Sequence, residues 1–428
     1  MLKKIKAGLE DLKRNFRTRE KSVRFLDRLI RANLYVMIFC LPFSKAIIEI
    51  TATIAILSWA IKKLIRKEFK LPQTHLNAPI FLFLSANLVS LSMSVWHRLS
   101  MRNFLFKTME YVLIYFVVFD SFRKKRQIHK AVYTILAIAS ISAFDGLFQA
   151  VTHRELLRGY GWAWVDSIGR IGASFNTPAD FGAYIITVLP VIFLLALMQC
   201  NPKKFIFYSA SFLLALCLFL TFSRSAWLGF IFSVIFMWVI CDKMRKRIFL
   251  IVFLALMAFA AIFAYFNIGN HITIGGGSLI DRMQIWRIGW SIFRDSPIFG
   301  RGPGTFMFNF GRYKPESYLY IVYAHNCYLQ MLAEIGVVGL LSFLWIIIAF
   351  FRSALISIAD TKDGFYKLIL IGSTSGIFAY LIQAALDTNL YSLPLAVLFW
   401  FMMGFVMAVV RLAGKNRIVN MNEEKDLI

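Results

Sequence analysis

The sequence predicts an all-α polytopic membrane protein of about twelve transmembrane helices, with one large outward loop containing short amphipathic helices. Three observations predict it. Hydrophobic residues make up 59% of the 428, well above the roughly 45–50% of an ordinary soluble domain. Apolar runs of membrane-spanning length recur along the whole chain. Basic residues, 48 against 23 acidic ones, cluster between alternate runs. A net charge of +25 on a soluble chain would suggest nucleic acid; here the question is which side of the bilayer each charge occupies, and no nucleic-acid partner is expected.

The expected spans are 32–44, 46–61, 77–96, 104–122, 130–150, 179–199, 205–222, 226–241, 248–268, 327–351, 367–386 and 393–411. The first two are short and are joined by Leu41-Pro42-Phe43-Ser44-Lys45, the pattern of a tight hairpin. Segment 1–31 reads as a basic interfacial piece on the cytoplasmic side, with Phe16, Val23, Leu26 and Ile30 on one apolar stripe against anionic lipid. It is followed by helices 1–9 over 32–268, a large outward loop over 269–326, helices 10–12 over 327–411 and a cytoplasmic tail over 412–428.

The positive-inside rule puts both termini in the cytoplasm, with 34 of the 48 Lys and Arg on that side. About 20 of those 34 are Lys, whereas 11 of the 14 outward ones are Arg. Topology needs only positive charge. Outward Arg fits either snorkelling to headgroups or bidentate binding of phosphate and carboxylate, and several near one loop favour the second. Cysteine shows neither CxxC nor paired spacing, so neither a disulfide framework nor a metal cluster is expected.

Two outward segments are long. Residues 152–178 carry Arg154, Glu155, Arg158, Asp166 and Arg170 around Trp162 and Trp164, a pattern that suits an interfacial aromatic belt or stacking on sugars. Residues 267–326 begin with a glycine run that does not match a phosphate-binding loop. Next, Met283, Trp286, Trp290 and Phe293 recur at helical spacing, which predicts an amphipathic helix at the interface capped by Asp281. Ser296-Pro297 ends it, and Phe299-Gly300-Arg301-Gly302-Pro303-Gly304 forces a compact turn.

Beyond the turn, His325 stands where the next helix begins, and Asn326, Gln330 and Glu334 form a polar stripe at i, i+4, i+8. Polar groups entering a membrane helix are costly, so this stripe should face the protein interior or a wet cavity. A His at a helix N-terminus is held neutral and competent as a general base, although a lone His there is more often an ordinary interfacial residue. Arg224 is wedged between two spans in Ser223-Arg224-Ser225. Asp145, Asp180 and Asp387 lie at outer span ends and are read as partners of buried ion pairs. Outward Arg, one base and no DxD-type acidic pair fit an anionic lipid diphosphate without a metal cofactor; a transporter of such a lipid would also show outward Arg.

Four elements, in order, carry a family resemblance. Ser223-Arg224-Ser225-Ala226-Trp227 and Arg282-x-x-x-Trp286 resemble the two arginine elements of the O-antigen ligase and polymerase superfamily. Pro297-x-x-Gly300-x-Gly302-Pro303-Gly304 resembles its glycine segment, and His325-Asn326-x9-Gly336 its histidine motif. The resemblance implies a metal-independent, inverting glycosyltransferase of the bacterial inner membrane with no cofactor and a periplasmic active site. Its donor would be an undecaprenyl-diphosphate-linked glycan. The acceptor would be lipid A–core in a ligase, or another lipid-linked repeat unit in a polymerase. It makes His325 the base and Arg224 and Arg282 the diphosphate ligands, with Arg287, Arg301 and Asn326 as possible helpers. Relatives that glycosylate proteins carry a large extra C-terminal domain not seen in this sequence.

Overall fold

The computed structural model describes residues 2–157, 169–197, 203–241, 279–316 and 321–425. Apart from one bridge residue at Arg154, the regular structure among them is helical, as expected. The helices are α1 (Leu2–Phe39), α2 (Lys45–Arg66), α3 (Asn77–Ser92), α4 (His97–Asn103), α5 (Glu110–Ser121), α6 (Lys125–Thr152), α7 (Pro178–Ala196), α8 (Lys203–Leu220), α9 (Arg224–Ile240), α10 (Leu279–Arg294), α11 (Phe306–Tyr313), α12 (Cys327–Asp360), α13 (Gly364–Ala384) and α14 (Leu393–Lys425). A π-helical stretch, Phe104–Met109, joins α4 to α5 without a break.

Among the described residues, five helices are long and apolar enough to cross a membrane: α6, α7, α12, α13 and the first part of α14, Leu393–Gly414. Asn77–Ser92, Lys204–Leu220 and Arg224–Ile240 are apolar but shorter. The expected span at 248–268, along with Arg158, Trp162, Trp164 and Asp166, lies outside the described residues. The expected hairpin forms from longer helices: α1 runs on to Phe39, and Ser44 caps α2 by accepting from the Ile47 N–H.

Helix α13 is the axis of the bundle and approaches its neighbours backbone to backbone. A Cβ on Gly376 would lie 2.1 Å from the Thr187 carbonyl of α7, and one on Gly372 would lie 2.7 Å from Val191 Cα. This small-x-x-x-small spacing lets helices pack closely where lipid supplies no hydrophobic drive. On its other side, the Ala379 carbonyl lies 2.7 Å from where a Cβ on Gly229 of α9 would be.

The two ends of the bundle differ chemically. At one end, buried Lys62 reaches Asp120 at 2.8 Å and Asp27 at 3.2 Å, and Asp120 also accepts from Arg123 and from Trp59 Nε1. Lys62, counted in the sequence as a topology anchor, is therefore a packed ion-pair residue. At the same end Arg411 donates to the carbonyls of Phe119 and Phe122, and Lys125 pairs with Asp363, the cap of α13. The candidate functional residues gather at the other end, about 30 Å away along α13.

Candidate active site

The tenth expected span is broken. Gly336 leaves helical geometry within α12 (φ 67°, ψ −171°), and the glycine turn docks into the break. Arg301 N–H donates to Ala333 O (3.0 Å) and Gly302 N–H to Glu334 O (2.8 Å). On the return side, Val337 N–H donates to Pro297 O (2.8 Å) and Val338 N–H to Ile298 O (3.2 Å). Four backbone bonds thus replace those that the break removes. Gly300, Gly302 and Gly304 all have positive φ. Any side chain on Gly302 would strike Ser94 and Ser100, and one on Gly304 would strike Asn103. The two motifs, separate in sequence, are one structural unit.

Glu334 faces inward, as its position in the polar stripe predicts, and is 3% exposed. Its carboxylate accepts from Gly304 N–H (2.9 Å), Phe306 N–H (3.2 Å) and Gln330 Nε2 (3.1 Å). It therefore fixes the exit of the glycine turn and the start of α11.

His325 has a positive φ of 48° and precedes the cap of α12. Asn326 is that cap: its side chain accepts from the N–H groups of Tyr328 and Leu329, both at 3.0 Å. This gives Asn326 a positioning role. The imidazole Nδ1 of His325 lies 3.8 Å from Asp387 Oδ1, with the His side chain 40% and the Asp side chain 18% exposed. Asp387, read from sequence as the partner of an Arg, instead faces the histidine. The sequence hides this pairing because the two residues stand 62 positions apart; the only signal was an acidic residue just beyond an apolar run.

Segment 386–389 is held from several sides. The buried thiol of Cys327 donates to Asp387 O (3.2 Å), Asn389 donates to Tyr380 O, and Thr388 N–H donates to Asp387 Oδ1. Arg282 Nη1 donates to Leu386 O at 3.2 Å. Arg282 and His325 therefore meet around Leu386–Asp387.

Arg224 is exposed at the start of α9, between the buried Ser223 and Ser225, whose hydroxyl oxygens are 3.3 Å apart. A Cβ on Gly182 of α7 would meet Ala226 Cβ at 2.8 Å, and Gln383 of α13 donates to Ala179 O of α7. These contacts set the first turns of α7 and α9 beside the end of α13 that leads into Asp387. Arg170 serves structure: buried, it donates to Thr221 O and ties the segment between α6 and α7 to the α8–α9 turn. Asp145 accepts from Leu156 N–H and the Ser174 hydroxyl, and Asp180 accepts from the Ser392 hydroxyl.

The remaining candidates go elsewhere. The guanidinium of Arg301 binds Asp295 and the Tyr313 hydroxyl, and so braces the loop beside the site. Arg287 is exposed in a groove between α10 and α12 that also includes Asn326 and Tyr328. The amphipathic helix α10 forms, and it packs on the protein through a second apolar face. Ile285, Ile288 and Ile292 are buried, whereas Met283 and Trp290 are about half exposed. Trp286 donates to Ala324 O, one residue before His325. Among the described residues no three His, Cys, Asp or Glu side chains converge as a metal-ligand set.

No curated protein matches the chain. Residues 209–344 match the family model described as O-antigen ligase, and this stretch holds Arg224, Arg282, the glycine turn, His325 and Gly336. The match and the ordered motifs within it support the O-antigen ligase and polymerase superfamily as the family of this membrane chain.

Proposed function

We propose that the protein is an O-antigen ligase. It transfers a glycan from undecaprenyl diphosphate to a sugar hydroxyl of lipid A–core at the periplasmic face of the inner membrane, with both termini cytoplasmic. One observation carries the reading: a partly exposed imidazole faces a carboxylate on the same short segment whose carbonyl holds Arg282.

In this reading Asp387 favours the tautomer of His325 with the proton on Nδ1, leaving Nε2 as acceptor. Nε2 takes the proton of the acceptor hydroxyl as its oxygen attacks the anomeric carbon. The bond from that carbon to the diphosphate oxygen breaks, and the electron pair leaves with undecaprenyl diphosphate. Arg224 and Arg282 offset the charge that grows on the leaving group, so neither a metal nor a cofactor is assigned. A single displacement inverts the anomeric centre. The separation of 3.8 Å closes to a hydrogen bond once substrate excludes water.

The second reading is a repeat-unit polymerase, which needs the same groups and a different acceptor; a lipid-glycan transporter without chemistry is third. His325→Ala and Arg224→Ala should each abolish transfer while the protein still inserts, and full activity in either would overturn the mechanism. A deletion strain separates the first two readings. Loss of the whole surface ladder with lipid-linked polymer retained indicates the ligase, and a single added repeat indicates the polymerase.

A further inference from the structure

A cavity of about 250 Å³, separate from the α10 groove, lies among α3, the π-helical stretch, α12 and α14. Asn87, Lys107, Tyr111, Gln330, Glu334 and Trp400 line it. The mechanism above uses none of them. The cavity adjoins the site through the chain: Tyr323 lies two residues from His325 and Tyr391 four from Asp387, and both contribute to its wall.

Two buried polar atoms in this wall have no hydrogen-bond partner among the described residues. Gln330 is 1% exposed and gives its Nε2 to Glu334, yet its Oε1 is unpaired; the Tyr111 hydroxyl is also unpaired, with that residue 7% exposed. Leaving such groups unsatisfied costs about 1–3 kcal/mol each, so each needs a partner that enters from outside the chain. Desolvation, and then the Glu334 carboxylate to which it is hydrogen-bonded, hold the phenol of Tyr391 well above its ordinary pKa, so that pair is internal to the wall. The wall thus offers the Gln330 amide oxygen and the Tyr111 phenol over an aromatic floor that includes Trp400. That combination suits a hydroxylated ring, whose edge is polar and whose faces are apolar. The volume is that of one sugar ring, far less than a polymer needs. The π-helical stretch that supplies Lys107 is a geometry often found at functional sites.

We propose that this cavity binds one sugar ring of the acceptor saccharide, with Gln330 Oε1 and the Tyr111 hydroxyl as its buried hydrogen-bond partners. The assignment rests on the glycosyl-transfer reading. The acceptor is favoured over the donor because the donor's anchor groups, Arg224 and Arg282, stand on α9 and α10, whereas neither helix contributes a residue to the cavity wall.

The test uses the full chain in lipid nanodiscs with Met307→Cys, on the cavity wall, as a reporter for a water-soluble thiol reagent; the unsubstituted protein supplies the background. Core oligosaccharide, released from lipid A–core by mild acid, should slow labelling severalfold, and Gln330→Leu or Tyr111→Phe should remove that protection. In transfer assays the same two variants should raise the acceptor KM about tenfold and leave the donor KM unchanged. Protection by donor glycan alone would overturn the acceptor assignment. Absence of protection by either saccharide, with transfer intact, would overturn the cavity as a sugar site. If the unsubstituted protein transfers nothing, the glycosyl-transfer reading fails, and the labelling still decides whether the cavity holds a sugar. Tyr111→Phe keeps the ring, so it covers the case in which Gln330→Leu fails to fold.

Discussion

The backbone just before Gly336 fills the space a side chain would need at Gly300, and the backbone just before Gly300 fills the space it would need at Gly336. A Cβ on Gly300 would lie 2.4 Å from the Glu334 carbonyl carbon, and one on Gly336 would lie 2.2 Å from the Ile298 oxygen. Both have positive φ, near +70°. The glycine turn and the break in α12 therefore exist only together, and the segment that carries His325 is positioned from this joint.

Gly336→Ala is expected to cost about 2–5 kcal/mol, the sum of left-handed strain in an L-residue and overpacking against backbone. Gly300→Ala should behave alike. Gly414→Ala, with nothing within 4 Å of the added carbon, is the control and should be neutral or slightly stabilising. Unfolding of purified protein in a denaturing detergent reads the difference. Equal midpoints for all three would show that the joint tolerates a side chain.

Asp387→Asn tests the partner of His325. It keeps the size of the side chain and can still accept from Thr388 N–H, but it cannot stabilise the imidazolium formed in the reaction. We expect kcat to fall at least ~10-fold with donor KM unchanged. A change confined to donor KM would instead assign Asp387 to substrate binding.

Lys62→Met removes the buried cation of the distant ion cluster and leaves Asp120, whose side chain is 6% exposed, to Arg123 and Trp59 Nε1. Leaving a buried charge wholly unpaired costs about 3–5 kcal/mol; with Arg123 still in place the loss should fall below that range, and the variant should unfold earlier. Lys62→Met combined with Asp120→Asn should recover part of the loss. Transfer by the surviving folded fraction should be normal, because the cluster lies at the end of the bundle away from His325.

Asp363 supplies a pH test. Its partial burial would raise the carboxyl, but the hydrogen bond and charge of Lys125 outweigh this and hold it below its ordinary value. A carboxylate depressed on folding adds stability above its unfolded pKa, and that stability is lost as pH falls through the folded value, below about pH 4. Asp363→Asn keeps the acceptor that caps Phe365 and Tyr366 N–H and removes only the charge. It should lose under ~1 kcal/mol at neutral pH, since the Lys125 side chain is 46% exposed, and the gap to the unsubstituted protein should close in acid. A gap independent of pH would show that the cap, not the charge, holds α13 to α6.

Much of this was legible in the chain itself. Apolar runs gave the helical class, and charge alternation gave an expected sidedness, because both are local properties of sequence. The arginine, glycine and histidine motifs mark segments that the structure gathers at one end of the bundle, and they are visible in sequence because each needs its residue types at fixed short spacing. The polar stripe ending at Glu334 correctly implied an inward face. Local periodicity could not say which helix packs on which. Met283 and Trp290 mark an apolar face of α10 as well as Ile285 and Ile288 do, and only the presence of α12 decided which face was covered. The pairing of His325 with Asp387, the mutual need of Gly300 and Gly336, and the unpaired atoms of Gln330 and Tyr111 join residues far apart in sequence. They follow from backbone and side-chain contacts that close only when the helices assemble, so tertiary structure alone decided them.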